Sequence, residues 1–478
     1  MRRRRQLGFP TRERVWALAL ALLLATLSLG ACGPGPNVFG TRTTRPLSPT
    51  GGASPSPSSP TASWPGYHGG PDRTGRSATT PQLGALSPLW RASLDGPVWA
   101  EPLVVGGLVI VATENDSLYA LDPRNGSVVW RAHVAAPEPE SALPCGDVFP
   151  LGMTGTPTYD PATGSIFVVA EETGAVHQLY AVDASTGQVR WSRRVDISIP
   201  SEDPIDVQQR TALLVSRGYV YFGYGGLDGD CGQYRGAVVG VPTSGQGPTL
   251  DYVVPTSREG AIWATAGAVA DPAGDLFVAT GNGAATSGPW DHSDSVLELS
   301  PQLQLLAGFA PSRWAYDNAH DLDLGSLGPT LLPDGYVFIA GKSGVGYVLR
   351  QGDLGGVGGQ LSSGTVCRGQ MVFGGTAYTG DTVYLPCANG VESLTVSAGG
   401  AIDANWQTGA ANGPPVLGGG VVFSVNTSLG DLVALDPATG AVRQTIAVGA
   451  VEHFTTPTLD GGLVLVPTTG GVVAVAGA

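Results

Sequence analysis

The sequence predicts an all-β fold, an eight-bladed β-propeller made of four-stranded antiparallel blades. Three observations predict it. The chain carries 71 glycines and 38 prolines, almost a quarter of its 478 residues, a composition that disfavours helical bundles and coiled coils. A short motif recurs along the chain, spaced by about 40 to 61 residues. Finally, the two ends supply complementary parts of one repeat, as a closed ring of blades requires.

The repeated motif is a β-rich run that ends in Asp, with Gly four residues and Trp eight residues after the Asp. Its clearest copy is 118–122, followed by Gly126 and Trp130. The further copies, complete or weaker, start at residues 179, 238, 296, 347, 393, 433 and 473. Eight copies therefore predict eight blades.

Each copy is interpreted as the third strand of a blade, the turn after it and the fourth strand. In the Asp-x-x-x-Gly segment the Asp caps a turn and the Gly takes a positive φ. A calcium loop is the alternative, but the segment lacks the further carboxylates that such a loop needs. The Trp is expected to pack between blades rather than to serve as a ligand platform.

The ring is expected to close within one shared blade. Residues 89–92 near the N-terminus match 129–132, a fourth strand without its first three. The C-terminus ends with the strands 463–467 and 471–475 and lacks a fourth. We therefore expect eight blades over 84–478, with seven blades as the alternative.

The N-terminus has the features of a lipoprotein signal. A basic segment precedes an apolar stretch too short for a comfortable membrane span, and residues 29–32 read Leu-Gly-Ala-Cys. We expect 1–31 to be removed and Cys32 to be lipidated; an ordinary cleavable signal or a short anchor is the alternative. Residues 32–63, rich in Pro, Ser and Gly, are expected to form a disordered tether before the propeller at 64–478. This predicts an extracytoplasmic location, anchored to the cell membrane or to an outer membrane where the host has one.

The charge balance limits the partners. The formal net charge is -14, which argues against a nucleic-acid partner because phosphates are neutralised by Lys and Arg. We expect a monomer that contacts the membrane through its lipid and a protein or small-molecule partner at a loop-rich face.

Five unusual residues fall in loops that share one face of the predicted propeller. In a blade, the loop between the second and third strands and the link to the next blade lie at the same end. The residues at that end are Trp263, Asn282, Asp321, Asp323 and Lys342. They are expected to line one axial funnel, and a concave site with converging polar groups is the default ligand site.

The Tyr-Ala-Leu-Asp repeat with its Gly and Trp, together with the opening segment 64–75, resembles the pyrroloquinoline quinone (PQQ)-type propeller of quinoprotein alcohol dehydrogenases. That superfamily also includes the non-enzymatic lipoprotein of the outer-membrane β-barrel assembly machine. The resemblance implies that Trp263 stacks on the quinone and that Lys342 contacts its oxygens. It further implies that Asn282 and Asp323 hold a calcium ion and that Asp323 is the general base.

The chain departs from these enzymes in three ways. The position of their glutamate calcium ligand, just before an Arg-Gly, is held here by Cys231. The sequence also lacks the Cys-x-x-Cys-His motif of an attached c-type haem and the pair of adjacent cysteines found in many of these enzymes. Any calcium site would therefore be altered.

Four cysteines follow Cys32 and allow three pairings. Cys145 and Cys231 are both expected at the funnel face, whereas Cys367 and Cys387 flank one hairpin of blade six. We predict the disulfides Cys145–Cys231 and Cys367–Cys387, with a free catalytic thiol at Cys231 as the alternative.

On these grounds the sequence favours a lipid-anchored propeller that acts as a binding or scaffold protein. The alternatives are a PQQ-dependent oxidoreductase with an altered calcium site and a non-catalytic ligand sensor. The criterion is geometric: the enzyme hypothesis requires Trp263, Asn282, Asp323 and Lys342 to converge within about 10 Å, the scale of one small site.

Overall fold

The strands form eight antiparallel sheets arranged as the blades of one propeller. A computed structural model describes residues 62–200 and 202–477. Each blade contains four core strands, which are consecutive in the chain except in blade eight, and blade three has a fifth, short strand. The eight-bladed prediction is confirmed. The predicted signal peptide, Cys32 and the tether up to residue 61 lie outside the described residues.

The strand bounds follow the repeat. Blade one contains Leu103–Val105, Leu108–Thr113, Ser117–Leu121 and Val128–His133, and blade two contains Thr158–Asp160, Ser165–Glu172, Val176–Asp183 and Val189–Arg194. Blade three contains Val207–Gln208, Leu214–Ser216, Tyr219–Gly226, Ala237–Pro242 and Leu250–Val253. Blade four contains Val269–Ala270, Leu276–Thr280, Ser295–Leu299 and Leu305–Ala310. Blade five contains Thr330–Leu332, Tyr336–Ala340, Val345–Arg350 and Ser362–Thr365, and blade six contains Ala377–Thr379, Thr382–Cys387, Gly390–Val396 and Ile402–Thr408. Blade seven contains Val416–Gly418, Val421–Asn426, Asp431–Leu435 and Val442–Ala447. Blade eight contains Thr458–Asp460, Leu463–Thr468, Gly471–Gly477 and Leu86–Ser93.

Two short strands extend this plan. Ala62–Trp64 adds to the first strand of blade one, and Gly356–Val357 runs parallel to the last strand of blade four. Residues 62–200 and 202–477 contain one α-helix, Trp314–Ala319, and six short 3₁₀ turns: Tyr67–Gly69, Glu140–Ala142, Pro204–Asp206, Leu324–Ser326, Pro333–Gly335 and Cys367–Gly369. None of the helices within the described residues has the length and apolar character needed to cross a membrane.

An N-terminal strand closes the last blade, as predicted. Leu86–Ser93 pairs antiparallel with Gly471–Gly477, so the outermost strand of blade eight comes from the start of the propeller. The ring is joined by this pairing and has eight blades rather than the alternative seven.

The repeated tryptophans join neighbouring blades. The ring of Trp90, in blade eight, lies on the turn glycine Gly126 of blade one, and its Nε1 donates to Pro123 O at 2.7 Å. A Cβ placed on Gly126 would lie 2.5 Å from this ring. The same contact recurs between Trp130 and Gly187, Trp191 and Gly245, and Trp406 and Gly440. Packing between blades is therefore the role of the motif Trp.

The N-terminal segment crosses the propeller axis and fixes several blades. The buried Arg73 donates to the main-chain oxygens of Leu213 and Ala268, in blades three and four. His68 Nδ1 lies 2.9 Å from Thr376 O in blade six, and its backbone N–H donates to the buried Glu101 in blade one. These contacts join blades one, three, four and six to the N-terminal segment near the propeller axis.

Both predicted disulfides are present. Cys145 is joined to Cys231, with the Cα atoms 6.1 Å apart, and Cys367 is joined to Cys387, with the Cα atoms 5.5 Å apart. The alternative of a free thiol at Cys231 is therefore wrong.

The contact between Trp90 and Gly126 can be tested with a matched pair of variants. Gly126 and Gly107 have φ values of 71° and 73°, but a Cβ at Gly107 would meet no atom within 4 Å. Gly107→Ala should cost about 1 kcal/mol of backbone strain. Gly126→Ala adds the steric conflict with Trp90 and should cost about 3 kcal/mol.

Urea denaturation followed by tryptophan fluorescence gives both losses of stability. Equal losses in the two variants would contradict the proposed role of the Trp90 ring.

Candidate functional site

The main cleft lies at the funnel face, where loops of blades three, four and five meet. Its volume is about 260 Å³, close to the lower end of ligand pockets in general. Its lining includes all five residues singled out from the sequence: Trp263, Asn282, Asp321, Asp323 and Lys342. The residues are thus brought together by the order of the blades, although 79 positions separate the first from the last.

Asp323 occupies the centre of the cleft because two glycines let its backbone and side chain approach the neighbouring loops. A Cβ on Gly281 would lie 2.3 Å from Asp323 Oδ1, and a Cβ on Gly341 would lie 2.3 Å from Asp323 O. The side chain accepts a hydrogen bond from the backbone N–H of Asn282 at 2.6 Å. Asp323 is buried, with 6% of its surface exposed.

Lys342 pairs with both aspartates. Its Nζ lies 2.6 Å from Asp323 Oδ2 and 2.6 Å from Asp321 Oδ1. Asp321 is largely exposed, so the buried partner is Asp323. The same Nζ lies 5.6 Å from the centroid of the Trp263 ring, within the range of a cation–π contact.

Burial and charge shift the pKa values of this pair. Burial raises the pKa of Asp323, against the opposing field of Lys342. Burial lowers the pKa of Lys342, but the carboxylates of Asp323 and Asp321 outweigh it and raise the pKa above the ordinary value. Lys342 therefore stays charged, and the Asp323 carboxylate is a stronger base than an exposed aspartate.

Asn282 presents an acceptor that has no donor. Its side-chain nitrogen donates to Asp321 Oδ1 at 2.9 Å. Its Oδ1 is buried and accepts no hydrogen bond from any residue that the structure describes. A buried amide oxygen in this state is suited to a cation or to a ligand donor.

Trp263 belongs to an aromatic cluster near the propeller axis. The centroids of Phe373 and Phe454 lie 6.4 Å and 6.3 Å from that of Trp263. These distances are typical of aromatic pairs. Since Trp263 also lines the cleft and is only partly buried, one part of the indole is available to a ligand.

Arg210 is a cleft residue that the sequence analysis missed. It is buried, and its Nε and Nη2 have no hydrogen-bond partner among the described residues. Its guanidinium carbon lies 5.5 Å from the centroid of Phe454. Arg210 occupies the link entering blade three, the counterpart of Trp263 in blade four, and this shared position is the signal that would have identified it.

Two acidic residues of the lining were also not singled out as ligands. Glu259 precedes Trp263 by four residues and forms an ion pair with Arg258. Burial raises its pKa, with a smaller opposing effect of Arg258 and further raising by the nearby Asp230. Asp230 accepts a hydrogen bond from the hydroxyl of Tyr234.

The Cys145–Cys231 disulfide stands at the rim of the cleft. A Cβ on the lining residue Gly229 would lie 3.6 Å from Cys145 Sγ. The bond ties the loop that carries Asp230 to the link between blades one and two. Because its sulfur is in a disulfide, Cys231 offers no thiolate to a metal.

We expect the buried half of the Lys342 ion pair to dominate its contribution to stability. Lys342→Met leaves Asp323 buried without its cation and should cost about 3 kcal/mol. Asp321→Asn, at an exposed partner, should cost less than about 1 kcal/mol. Adding Asp323→Asn to Lys342→Met should restore part of the loss, as measured by urea denaturation. A double variant less stable than Lys342→Met alone would contradict this assignment.

Comparisons with known proteins give relatives of two kinds. A family described as outer membrane protein assembly factor BamB matches residues 77–227 and 392–477, together just under half of the chain. The polyvinylalcohol dehydrogenase of Sphingopyxis sp. (strain 113P3) is 24% identical over 461 residues, which covers 79% of this chain and 67% of that protein.

The solved structures that resemble the chain have the same fold. A quinohaemoprotein alcohol dehydrogenase from Pseudomonas putida HK5 superposes with a TM-score of 0.68 at 16% identity, over 87% of this chain and 80% of that one. BamB from Moraxella catarrhalis superposes with a TM-score of 0.56 at 15% identity, over 83% and 98%. The repeats, the eight blades and these matches show that the chain has the β-propeller fold of the quinohaemoprotein alcohol dehydrogenase and of BamB, and that its sequence is similar to the BamB family and to the polyvinylalcohol dehydrogenase.

Proposed function

We propose that the chain is a quinone-dependent oxidoreductase that acts on alcohol groups. The observation that carries the proposal is the convergence of Trp263, Asn282, Asp323 and Lys342 in one cleft. Asp323 contacts both Asn282 and Lys342 at 2.6 Å, and Lys342 lies over the Trp263 ring. The enzyme hypothesis requires these side chains to converge, and their place in one cleft meets this requirement.

The cleft residues fit an acidic, planar quinone. Trp263 offers an indole face for stacking. Lys342 provides a charged donor for quinone oxygens. Arg210 Nη2 lies 4.0 Å from Asp147 Oδ1, and the Arg210 Nε and Nη2 make no hydrogen bond to any described residue, so both can donate to a carboxylate group of a ligand. Each of these three side chains lines the same cleft.

The residues also fit a calcium ion, with a changed ligand set. Asn282 Oδ1 is free of donors, and Asp323 is the neighbouring carboxylate. Cys231 replaces the expected glutamate and is held in a disulfide. Glu259 and Asp230 are the carboxylates of the same cleft that would take its place. Oxygen ligands of this kind suit Ca²⁺.

The bound quinone would supply the oxidising chemistry by accepting the hydride of the alcohol carbon. Asp323 would accept the hydroxyl proton, because its carboxylate is buried and its pKa is raised. Lys342 orients this carboxylate through its 2.6 Å ion pair. The cleft residues would hold the alcohol beside the Asp323 carboxylate.

The scaffold function is kept as the second candidate because of the match to the BamB family. That match leaves residues 228–391 unmatched, and these include Trp263, Asn282, Asp323 and Lys342. It therefore covers much of the ring of blades and the cleft residue Arg210, but none of these four residues. The dehydrogenase relative, in contrast, matches 79% of the chain.

We place the protein outside the cytoplasm, anchored by a lipid on Cys32. The two disulfides support an oxidising compartment. Globomycin sensitivity of processing and [³H]palmitate labelling that Cys32→Ser abolishes would support the anchor; unlabelled wild-type chain would contradict it.

The enzyme proposal is tested by reconstitution. The purified chain is incubated with PQQ and Ca²⁺, and reduction of an electron-accepting dye is followed with poly(vinyl alcohol) and with short primary and secondary alcohols. We expect turnover that Asp323→Asn lowers by at least about 100-fold. Quenching of tryptophan fluorescence by PQQ should persist in this variant.

Asp353→Asn is the matched control, because Asp353 is an exposed aspartate outside the cleft lining. It should retain wild-type activity. Binding of PQQ without turnover of any alcohol would contradict the enzyme and favour the ligand sensor. No binding at high micromolar PQQ would favour the scaffold.

A further inference from the structure

A second groove opens on the funnel face, between blades six and seven. Ala388 and Asn389 belong to the loop that joins the second and third strands of blade six, and Ser428 and Leu429 belong to the same loop of blade seven. Asn412, in the link between the two blades, also lines the groove. The volume of the groove is about 240 Å³, close to that of the cleft in blades three to five, and the two share no lining residue.

The groove and the cleft differ in charge. The cleft is lined by several carboxylates and by the cations Arg210 and Lys342. The lining of the groove, within the described residues, consists of three asparagines, a serine, a leucine, an alanine and two glycines, without a charged side chain. An ionic ligand would find no opposite charge there, and the net charge of -14 repels anions from the whole protein. The groove therefore suits a neutral ligand.

Asn412 is oriented by its own blade. Its Oδ1 accepts hydrogen bonds from the backbone N–H and from the hydroxyl of Thr427, at 3.0 and 3.1 Å. Its Nδ2 donates to no residue that the structure describes, so both of its N–H groups are available to a ligand. The exposed hydroxyl of Ser428 likewise makes no hydrogen bond to a described residue.

The other two asparagines are fixed as well. Asn426 Oδ1 accepts from the backbone N–H of Leu429, and its Nδ2 donates to Ala410 O, both at 3.0 Å. Asn389 Oδ1 accepts from Gln407 Nε2 at 2.8 Å and keeps a second lone pair. Because these amides are held before a ligand arrives, binding costs less conformational entropy.

Leu429 adds an apolar surface beside the amides. With 72% of its surface exposed, it is the most exposed large apolar side chain in the part of the chain that the structure describes. It lines the groove, and its backbone N–H is bound by Asn426. A ligand that covers Leu429 with aliphatic groups would gain from removing this surface from water.

We propose that this groove binds a neutral open-chain polyol, in which hydroxyl groups alternate with methylene groups. A hydroxyl both donates and accepts, so successive hydroxyls can bond the Asn412 amide, the Ser428 hydroxyl and the Asn389 oxygen in any order. The methylene groups would lie against Leu429. A sugar ring has a broad apolar face that an aromatic side chain matches best, and none of the described lining residues is aromatic.

This site is independent of the proposed oxidation. Its residues belong to blades six and seven, whereas Trp263, Asn282, Asp323 and Lys342 belong to blades four and five and the links that enter them. A chain that binds no quinone should still bind the polyol. Variants of the groove should, in turn, leave the quenching of tryptophan fluorescence by PQQ unchanged.

The test measures binding of poly(vinyl alcohol) to the purified chain by calorimetry, without PQQ or Ca²⁺. We expect saturable binding that protects residues 388–390 and 427–430 from hydrogen–deuterium exchange. Asn412→Asp keeps an oxygen for Thr427 but replaces the free amide donor by a charged acceptor. It should weaken binding at least about 10-fold. Ser428→Ala, at an exposed position, should weaken binding about 3-fold without loss of stability.

Asn125→Asp is the matched control, since it adds the same charge at an exposed turn on the opposite face. Asn125 Oδ1 also accepts a backbone N–H, from Ser127 at 2.9 Å. This variant should bind as the wild type does, and dextran and poly(ethylene glycol) should bind at least about 10-fold more weakly than poly(vinyl alcohol).

Four results would overturn the proposal. These are the absence of saturable binding, protection confined to the loops of the quinone cleft, equal weakening by Asn125→Asp and Asn412→Asp, and binding of dextran or poly(ethylene glycol) as tight as that of poly(vinyl alcohol).

Discussion

The contact between a tryptophan of one blade and a turn glycine of the next is the interaction on which the rest of the structure depends. Trp90 on Gly126 and Trp130 on Gly187 show the same geometry, with room for a hydrogen atom but not for a Cβ. The glycine serves twice, since its φ near 70° also forms the turn. This contact locks four pairs of neighbouring blades at the rim, and the Trp90 contact locks blade eight to blade one.

This locking determines which side chains meet at the axis. In six blades, the link that enters the first strand contributes a residue near the centre: Trp99, Arg210, Trp263, Asp323, Phe373 and Phe454. The Trp99 ring centroid lies 5.9 Å from the guanidinium carbon of Arg210. Residues that are remote in sequence thus share one cleft. The N-terminal segment also joins blades near the axis, because Arg73 contacts Ala268 O in blade four and His68 contacts Thr376 O in blade six.

The ring could be predicted from the sequence because its stabilising contacts repeat. The motif Trp and the turn Gly recur at positions that align along the sequence, and residues 86–93 supply the fourth strand that the last repeat lacks. The short strand Gly356–Val357 and the helix Trp314–Ala319 were not predicted, because they lie in irregular links without a repeat.

The cleft could be predicted only in part. Asn282 and Lys342 come just after the second strands of blades four and five. The local sequence pattern therefore predicted the face of the propeller on which they lie. Arg210 and Glu259 occupy links in which no local motif marks the inward position, and their place depends on the completed ring. Glu114 and Asp116 are buried in the loop between the second and third strands of blade one. In the sequence they resemble an ordinary polar hairpin loop, because none of the neighbouring residues in the chain shows that blade two covers them.

The central claim is that the cleft of Trp263, Asn282, Asp323 and Lys342 is a quinone site. The most direct measurement is a crystal structure of the chain grown with PQQ and Ca²⁺. The account predicts a quinone ring stacked on the Trp263 indole, with Lys342 at its oxygens and an ion on Asn282 Oδ1. A quinone bound elsewhere, or crystals whose cleft holds only water at saturating PQQ, would contradict it.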